Sequence, residues 1–179
     1  MPRVLTLLAE GFEEIETVAP VDLLRRAGAE VTLASLADAA VVTGRCGIGL
    51  KADFPLEAIT PDLFDCLLLP GGPGVRHLRA DPRVRDLVRR HYDGGKWLAA
   101  ICAAPTVLLD AGILPALRHT AHPSVASELP NRLVGEKVVV DRNIITSRGA
   151  GTAVEFGLKI VEMLFSTEKS AEIGRSICV

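Results

Sequence analysis

The sequence predicts an α/β protein: a flavodoxin-like, doubly wound, mostly parallel sheet sandwiched by helices, with a small antiparallel hairpin. Two observations carry this. Short apolar runs alternate with helical patterns along most of the 179 residues. Several runs, such as Asp65–Leu69, are near-continuously apolar, as strands covered on both faces are. With right-handed crossovers, that alternation gives a sheet with helices on either side.

The elements follow in order. Arg3–Leu8 reads as a first strand, and Glu14–Ala27 as a helix with Ile15, Val18, Leu23 and Ala27 near helical spacing, stopped by Gly28. Pro20 inside it should kink the helix or displace its start. Glu30–Ala34 is a second strand, and Val41–Thr43 with Ile48–Leu50 a hairpin around Gly44 and Gly47. Asp65–Leu69 ends in a Pro70–Gly74 turn, and Asp81-Pro82 opens a helix to about Tyr92, an N-cap followed by proline at the first helical position. Trp97–Ile101 is a buried strand and Cys102–Ala111 a helix closed by Gly112. Val138–Val140 and Ile144–Thr146 flank a turn at Asp141-Arg142-Asn143. Thr152–Phe165 and Glu168–Ile177 complete the helices. With no repeat, low-complexity tract or linker, residues 1–179 read as one domain.

Composition narrows the function. Lys and Arg total 20 against 22 Asp and Glu, and 49% of residues are hydrophobic. The near-neutral balance argues against a nucleic-acid or membrane-surface binder. No apolar run approaches a membrane span. Val4–Ala9 is too short for a signal-peptide core, so the cytoplasm is the expected location. Four cysteines, Cys46, Cys66, Cys102 and Cys178, lie far apart and suggest free thiols rather than zinc ligands or disulfides. No cofactor motif is present; GxxxxGK[ST] and GxGxxG are both missing.

In a doubly wound sheet, ligands bind beyond the carboxyl ends of the strands. That edge collects Glu10, Glu13, Glu14 and Glu16, then Gly71 and Gly72, Cys102, His122, and Gly149–Gly151. Cys102 sits at a strand-to-helix junction with Ala100 and Ala104 two positions either side, the small residues a nucleophile elbow needs. A helix N-terminus there would favour the thiolate; the competing reading is a small buried hydrophobe. Glu13 or Glu14 reads as a helix-start carboxylate, leaving Glu16 free to face the cleft with a raised pKa beside the thiol. His119 and His122 flank Ala121 at a strand end. His77 could only line a rim, and His91, in an arginine-rich helix, reads as solvated. Gly71 and Gly72 suit an oxyanion site or simply a tight turn.

Five separated segments then coincide with one family: AEGFEEIETV from Ala9, PVDLLRRAG from Pro20, LPGG ending at Gly72, AAICAAP around Cys102 and TSRGAGT from Thr146. The chain resembles the ThiJ/PfpI superfamily, in particular its deglycase branch, over essentially its whole length. The resemblance implies a homodimer with Cys102 as nucleophile, a protonated Glu16 beside it and His122 in the pocket. It places Gly71, Gly72 and Ala103 at the oxyanion or substrate, with Arg26 and Arg45 near the pocket and dimer contact. Gly149 and Ala150 fall in the rim loop, where Ala150 replaces a proline of that branch's deglycase. The implied chemistry is detoxification or repair of small aldehydes, dicarbonyls and glycated proteins, with no cofactor or metal. An oxidative-stress sensor or chaperone working through Cys102 sulfinic acid is the alternative, and a peptidase or amidase a third reading.

Overall fold

A computed structural model describes residues 1–59 and 62–179. Strand β1 (Arg3–Leu8) lies at the centre of the sheet, where the chain reverses its direction of winding. It pairs in parallel with β2 (Glu30–Ser35) on one side and with β6 (Cys66–Leu69) on the other. Beyond β2 comes the short β5 (Phe54–Pro55), and beyond β6 come β7 (Trp97–Ile101), β9 (Ile144–Ser147) and β8 (Val138–Asp141). The order is β5-β2-β1-β6-β7-β9-β8, and only the β8–β9 ladder is antiparallel. Strands β3 (Val41–Thr43) and β4 (Gly49–Lys51) form the separate hairpin that Gly44 and Gly47 announce.

Apolar side chains fill both faces of the sheet, the reason its strands read as continuous hydrophobic runs. One face carries Val4, Leu8 and Leu68 against α1 (Glu14–Arg26) and α6 (Ala153–Leu164). The other carries Leu5, Leu7 and Leu67 against α4 (Pro82–Asp93) and the short α5 (Pro105–Asp110). Helix α7 (Thr167–Ser176) packs on α6. Helix α1 runs through Pro20 from the predicted start. Helix α6 packs closely on it there: a β-carbon on Gly157 would lie 2.9 Å from Pro20 Cα. Helices α2 (Leu56–Ile59) and α3 (Val75–Ala80) escape the sequence patterns, being too short to show a helical period.

Two expectations are corrected here. His91 is fully buried, not solvated: its Nε2 accepts from Phe64 N–H at 3.2 Å, and its Nδ1 lies 2.8 Å from the Leu87 carbonyl. Its apolar helix face, Val84, Leu87 and Val88, carries it inward despite the flanking arginines. Residues 119–122 form no strand. The Thr120 N–H bonds the Thr146 hydroxyl instead of joining a ladder, and His122 begins a 3-10 turn, Pro123–Val125.

Candidate active site

The switch point between β1 and β6 brings three loops together at the carboxyl edge of the sheet. The loop after β1 leads into α1, whose N-cap is Glu13, its side chain accepting the Glu16 N–H at 2.7 Å. This capping orients the first turn so that Glu16, 1% exposed, points inward. The loop after β6 meets it: Glu13 N–H donates to the Gly71 carbonyl at 3.0 Å, and Gly71 N–H donates to Glu16 Oε2 at 2.9 Å. Only glycine fits here. A β-carbon on Gly71 would strike the Glu16 carboxylate and lie 2.5 Å from Cys102 Cβ. Gly72 has φ +88°, and a β-carbon there would meet Glu13 N at 2.7 Å.

Cys102 follows β7 with φ +66°, a left-handed conformation that costs a non-glycine residue free energy. Ala100 and Ala104 are both fully buried, so the small-residue elbow is present. The backbone is held on both sides: Cys102 N–H donates to the Ser147 carbonyl at 2.9 Å, and His122 N–H donates to the Cys102 carbonyl at 2.8 Å. The strained turn delays the helix, which starts at Pro105 rather than at Cys102. It is the individual Gly72 and Ala103 N–H groups that bond the sulfur, not a helix terminus.

The electrostatics centre on the thiol and Glu16, which are hydrogen-bonded to each other. Burial, aided by the charge of Glu13, pushes the Glu16 carboxyl up to about 7, against the stabilising Cys102, Gly71 and Arg45 contacts. Burial first, then the Glu16 charge and hydrogen bond, push the Cys102 thiol up to about 12 despite the Gly72 and Ala103 N–H groups. The expected lowering of the thiol is thus reversed. Across the intervening pH range, the pair holds one proton between them.

Glu16, Cys102, Gly72, Ala103, His122 and Arg45 line one cavity of about 400 Å³, with Ser124 and Ala150 at its wall. A larger cleft of about 690 Å³ opens beside Ala9, Leu36 and Pro82, with His77 among its lining, but no cysteine lines it. Gly149 backs His122: a β-carbon there would lie 3.3 Å from the His122 Cδ2. Two of the expected groups are engaged elsewhere within this chain. Gly71 N–H already bonds Glu16, so it cannot serve as an oxyanion donor. Arg26 is remote: it pairs with Asp22 at 2.7 Å near the far end of α1, about 15 Å along the axis from Glu16. Ser124 was not anticipated. Its N–H donates to His122 Nδ1 at 3.1 Å and its hydroxyl lies 2.9 Å from the same nitrogen. The signal was available in His122-Pro123-Ser124, a capping side chain followed by proline at the first helical position.

Known proteins resemble this chain over nearly its whole length. Residues 2–163 match the DJ-1/PfpI family. Protein dj-1beta of Drosophila melanogaster is 42% identical over 179 residues, covering 98% of this chain and 96% of that protein. The crystal structure of Drosophila DJ-1beta superposes with a TM-score of 0.93 at 40% identity, covering 99% of this chain and 98% of that one. The Caenorhabditis elegans glutathione-independent glyoxalase DJR-1.2 is 36% identical over 95% of this chain and 92% of its own length. The deglycase PfpI of Pyrococcus furiosus is 32% identical over 90% of this chain and 99% of its own length. A buried carboxyl against an elbow cysteine at the switch point, on a chain matched almost end to end, leads to one conclusion: this chain belongs to the DJ-1/PfpI family.

Proposed function

We propose that this chain is a cysteine-dependent glyoxalase or deglycase acting on small reactive dicarbonyls such as methylglyoxal and on their adducts. The observation that carries the reading is the Cys102–Glu16 pair, a thiol and a buried carboxyl hydrogen-bonded to each other at the wall of a 400 Å³ cavity. As the sulfur attacks the aldehyde carbon, its proton passes to the Glu16 carboxylate and the carbonyl oxygen takes up the electron pair, giving a hemithioacetal once protonated. Glu16 then moves the proton from the former aldehyde carbon to the neighbouring one through an enediol, leaving a thioester. Water cleaves the thioester, releases lactate and restores the thiol. The two carbons exchange oxidation levels internally, so no external oxidant is required. The names of the glyoxalase and deglycase relatives support this class of reaction.

The test is lactate formation from methylglyoxal in an amine-free buffer. Wild type should produce it, and Cys102→Ala should lose at least about 100-fold. Equal rates would refute the mechanism. Homodimerisation and a cytoplasmic location remain part of this proposal. Among the described residues no helix is long and apolar enough to cross a membrane.

A second reading has its own observation. The Gly72 and Ala103 N–H groups and the Glu16 carboxyl surround the sulfur, and the same donors would hold a sulfinate. Mild peroxide should then add two oxygens to Cys102, and Glu16→Leu should change where oxidation stops. An unmodified Cys102 would sink that reading. A peptidase reading calls for a carboxylate behind His122, and Ser124 stands there instead.

A further inference from the structure

We infer that Ser124 is a positioning residue that sets His122 as a hydrogen-bond donor to the substrate oxygen rather than as a base. This rests on the cysteine-dependent reaction proposed above. A backbone N–H can only donate, so the 3.1 Å contact from Ser124 N makes His122 Nδ1 an acceptor. The Ser124 hydroxyl, 2.9 Å from the same nitrogen, must then donate as well. The proton of the neutral ring therefore sits on Nε2. The Ser124 N–H and hydroxyl impose this together, with the imidazole acting as the side-chain cap of the 3-10 segment.

The backbone donors around the sulfur are already engaged. Gly71 N–H is held by Glu16, and Gly72 and Ala103 N–H are turned to the Cys102 sulfur. Arg45, on the exposed loop between β3 and β4, also lines the cavity, and its charge acts on the Glu16 carboxyl. His122 lines the same cavity, and among the described residues no protein group bonds its Nε2. The His122 N–H to Cys102 carbonyl bond ties the ring's backbone to that of the nucleophile. Nε2–H is thus the neutral donor left for the oxygen that gains charge as the sulfur attacks, and proton transfer falls to Glu16.

Long-range ¹H–¹⁵N NMR on the full-length protein, without substrate, reads the ring directly. The expected result is a protonated Nε2 and an unprotonated Nδ1 for His122; the opposite tautomer overturns the proposal. Kinetics with methylglyoxal then separate donor from base. His122→Gln keeps an N–H near the Nε2 position and should retain at least about a tenth of kcat, whereas His122→Ala should lose about 100-fold or more. Equal loss in the two variants overturns the donor assignment. Ser124→Ala should lower kcat several-fold with little change in KM and increase the Nδ1–H tautomer, and Ser124→Thr should restore both. No change in tautomer or kcat in Ser124→Ala refutes the positioning of the ring by Ser124. If wild type forms no lactate, the proposed reaction fails, while the NMR result still decides how Ser124 sets the ring.

Discussion

Gly71 donates its backbone N–H to Glu16 Oε2 at 2.9 Å, and this bond holds a buried carboxyl against the thiol of Cys102. The glycine turn that suggests an anion cradle in the sequence is committed to the acid rather than to the substrate. Its space is filled as closely as its N–H is used, since a β-carbon added at Gly71 has no room between Glu16 and Cys102.

Gly71→Ala should therefore displace Glu16 or Cys102. Overpacking of this kind costs about 1–3 kcal/mol, and lactate formation should fall at least about tenfold because the proton acceptor moves from the sulfur. Urea denaturation and the methylglyoxal assay check both. An alanine variant with wild-type stability and rate would contradict the packing.

Glu16→Gln should separate stability from activity through pH. The folded carboxyl titrates near about 7 instead of 4.5, so between those values the native state binds a proton that the unfolded chain has released. Its stabilising contribution is complete below 4.5 and is lost as pH rises through about 7. Relative to Glu16→Gln, wild type should lose up to about 3 kcal/mol between pH 4.5 and 8. Denaturation of both proteins at several pH values measures the difference. A gap independent of pH would show that Glu16 is not perturbed. In kinetics, kcat/KM of wild type should rise through about pH 7 as the acceptor ionises, and that limb should vanish in Glu16→Gln.

Cys102→Gly and Cys102→Ala should both be inactive but differ in stability. The left-handed φ of +66° penalises alanine and not glycine. The glycine variant should be more stable than the alanine one by about 1 kcal/mol, offset in part by its greater unfolded-state entropy. Comparing the two by thermal denaturation isolates the strain; a less stable glycine variant would place it elsewhere.

His91→Leu should remove an acceptor from the Phe64 N–H and cost about 1–3 kcal/mol. Burial lowers the His91 pKa below its usual 6.5, so acid protonates the unfolded chain first. The neutral histidine's stability is present above 6.5 and declines as pH falls toward the folded value. Wild type should lose more stability than His91→Leu between pH 7 and 5, measured by urea midpoints. Parallel losses would mean that His91 does not titrate differently on unfolding.

The sequence by itself determined the order and class of the longer elements, because apolar runs and helical periods are local consequences of which faces must be buried; the short β5, α2 and α3 carry too few residues to show a period. It also determined the elbow at Cys102, since Ala100 and Ala104 have no side chains to obstruct a strained turn. Placing Glu16 and Cys102 on one edge followed from the winding rule, whereas His122 reaches it from a 3-10 turn and not from the strand end the sequence suggested. What only the tertiary structure decided were partners and environments. Gly71 was open to several readings until Glu16, far away in the chain, took its N–H. The sulfur's pKa depends on burial and on a neighbouring charge, and these outweigh the local N–H donors that the sequence suggested. His91 looked solvated because its neighbours are arginines, but a helix buries by face rather than by adjacency. Arg26 shares α1 with Glu16, yet a rigid helix carries the two to opposite ends. Long-range contact and desolvation are properties of the folded chain, and they turn an edge of suitable residues into a site.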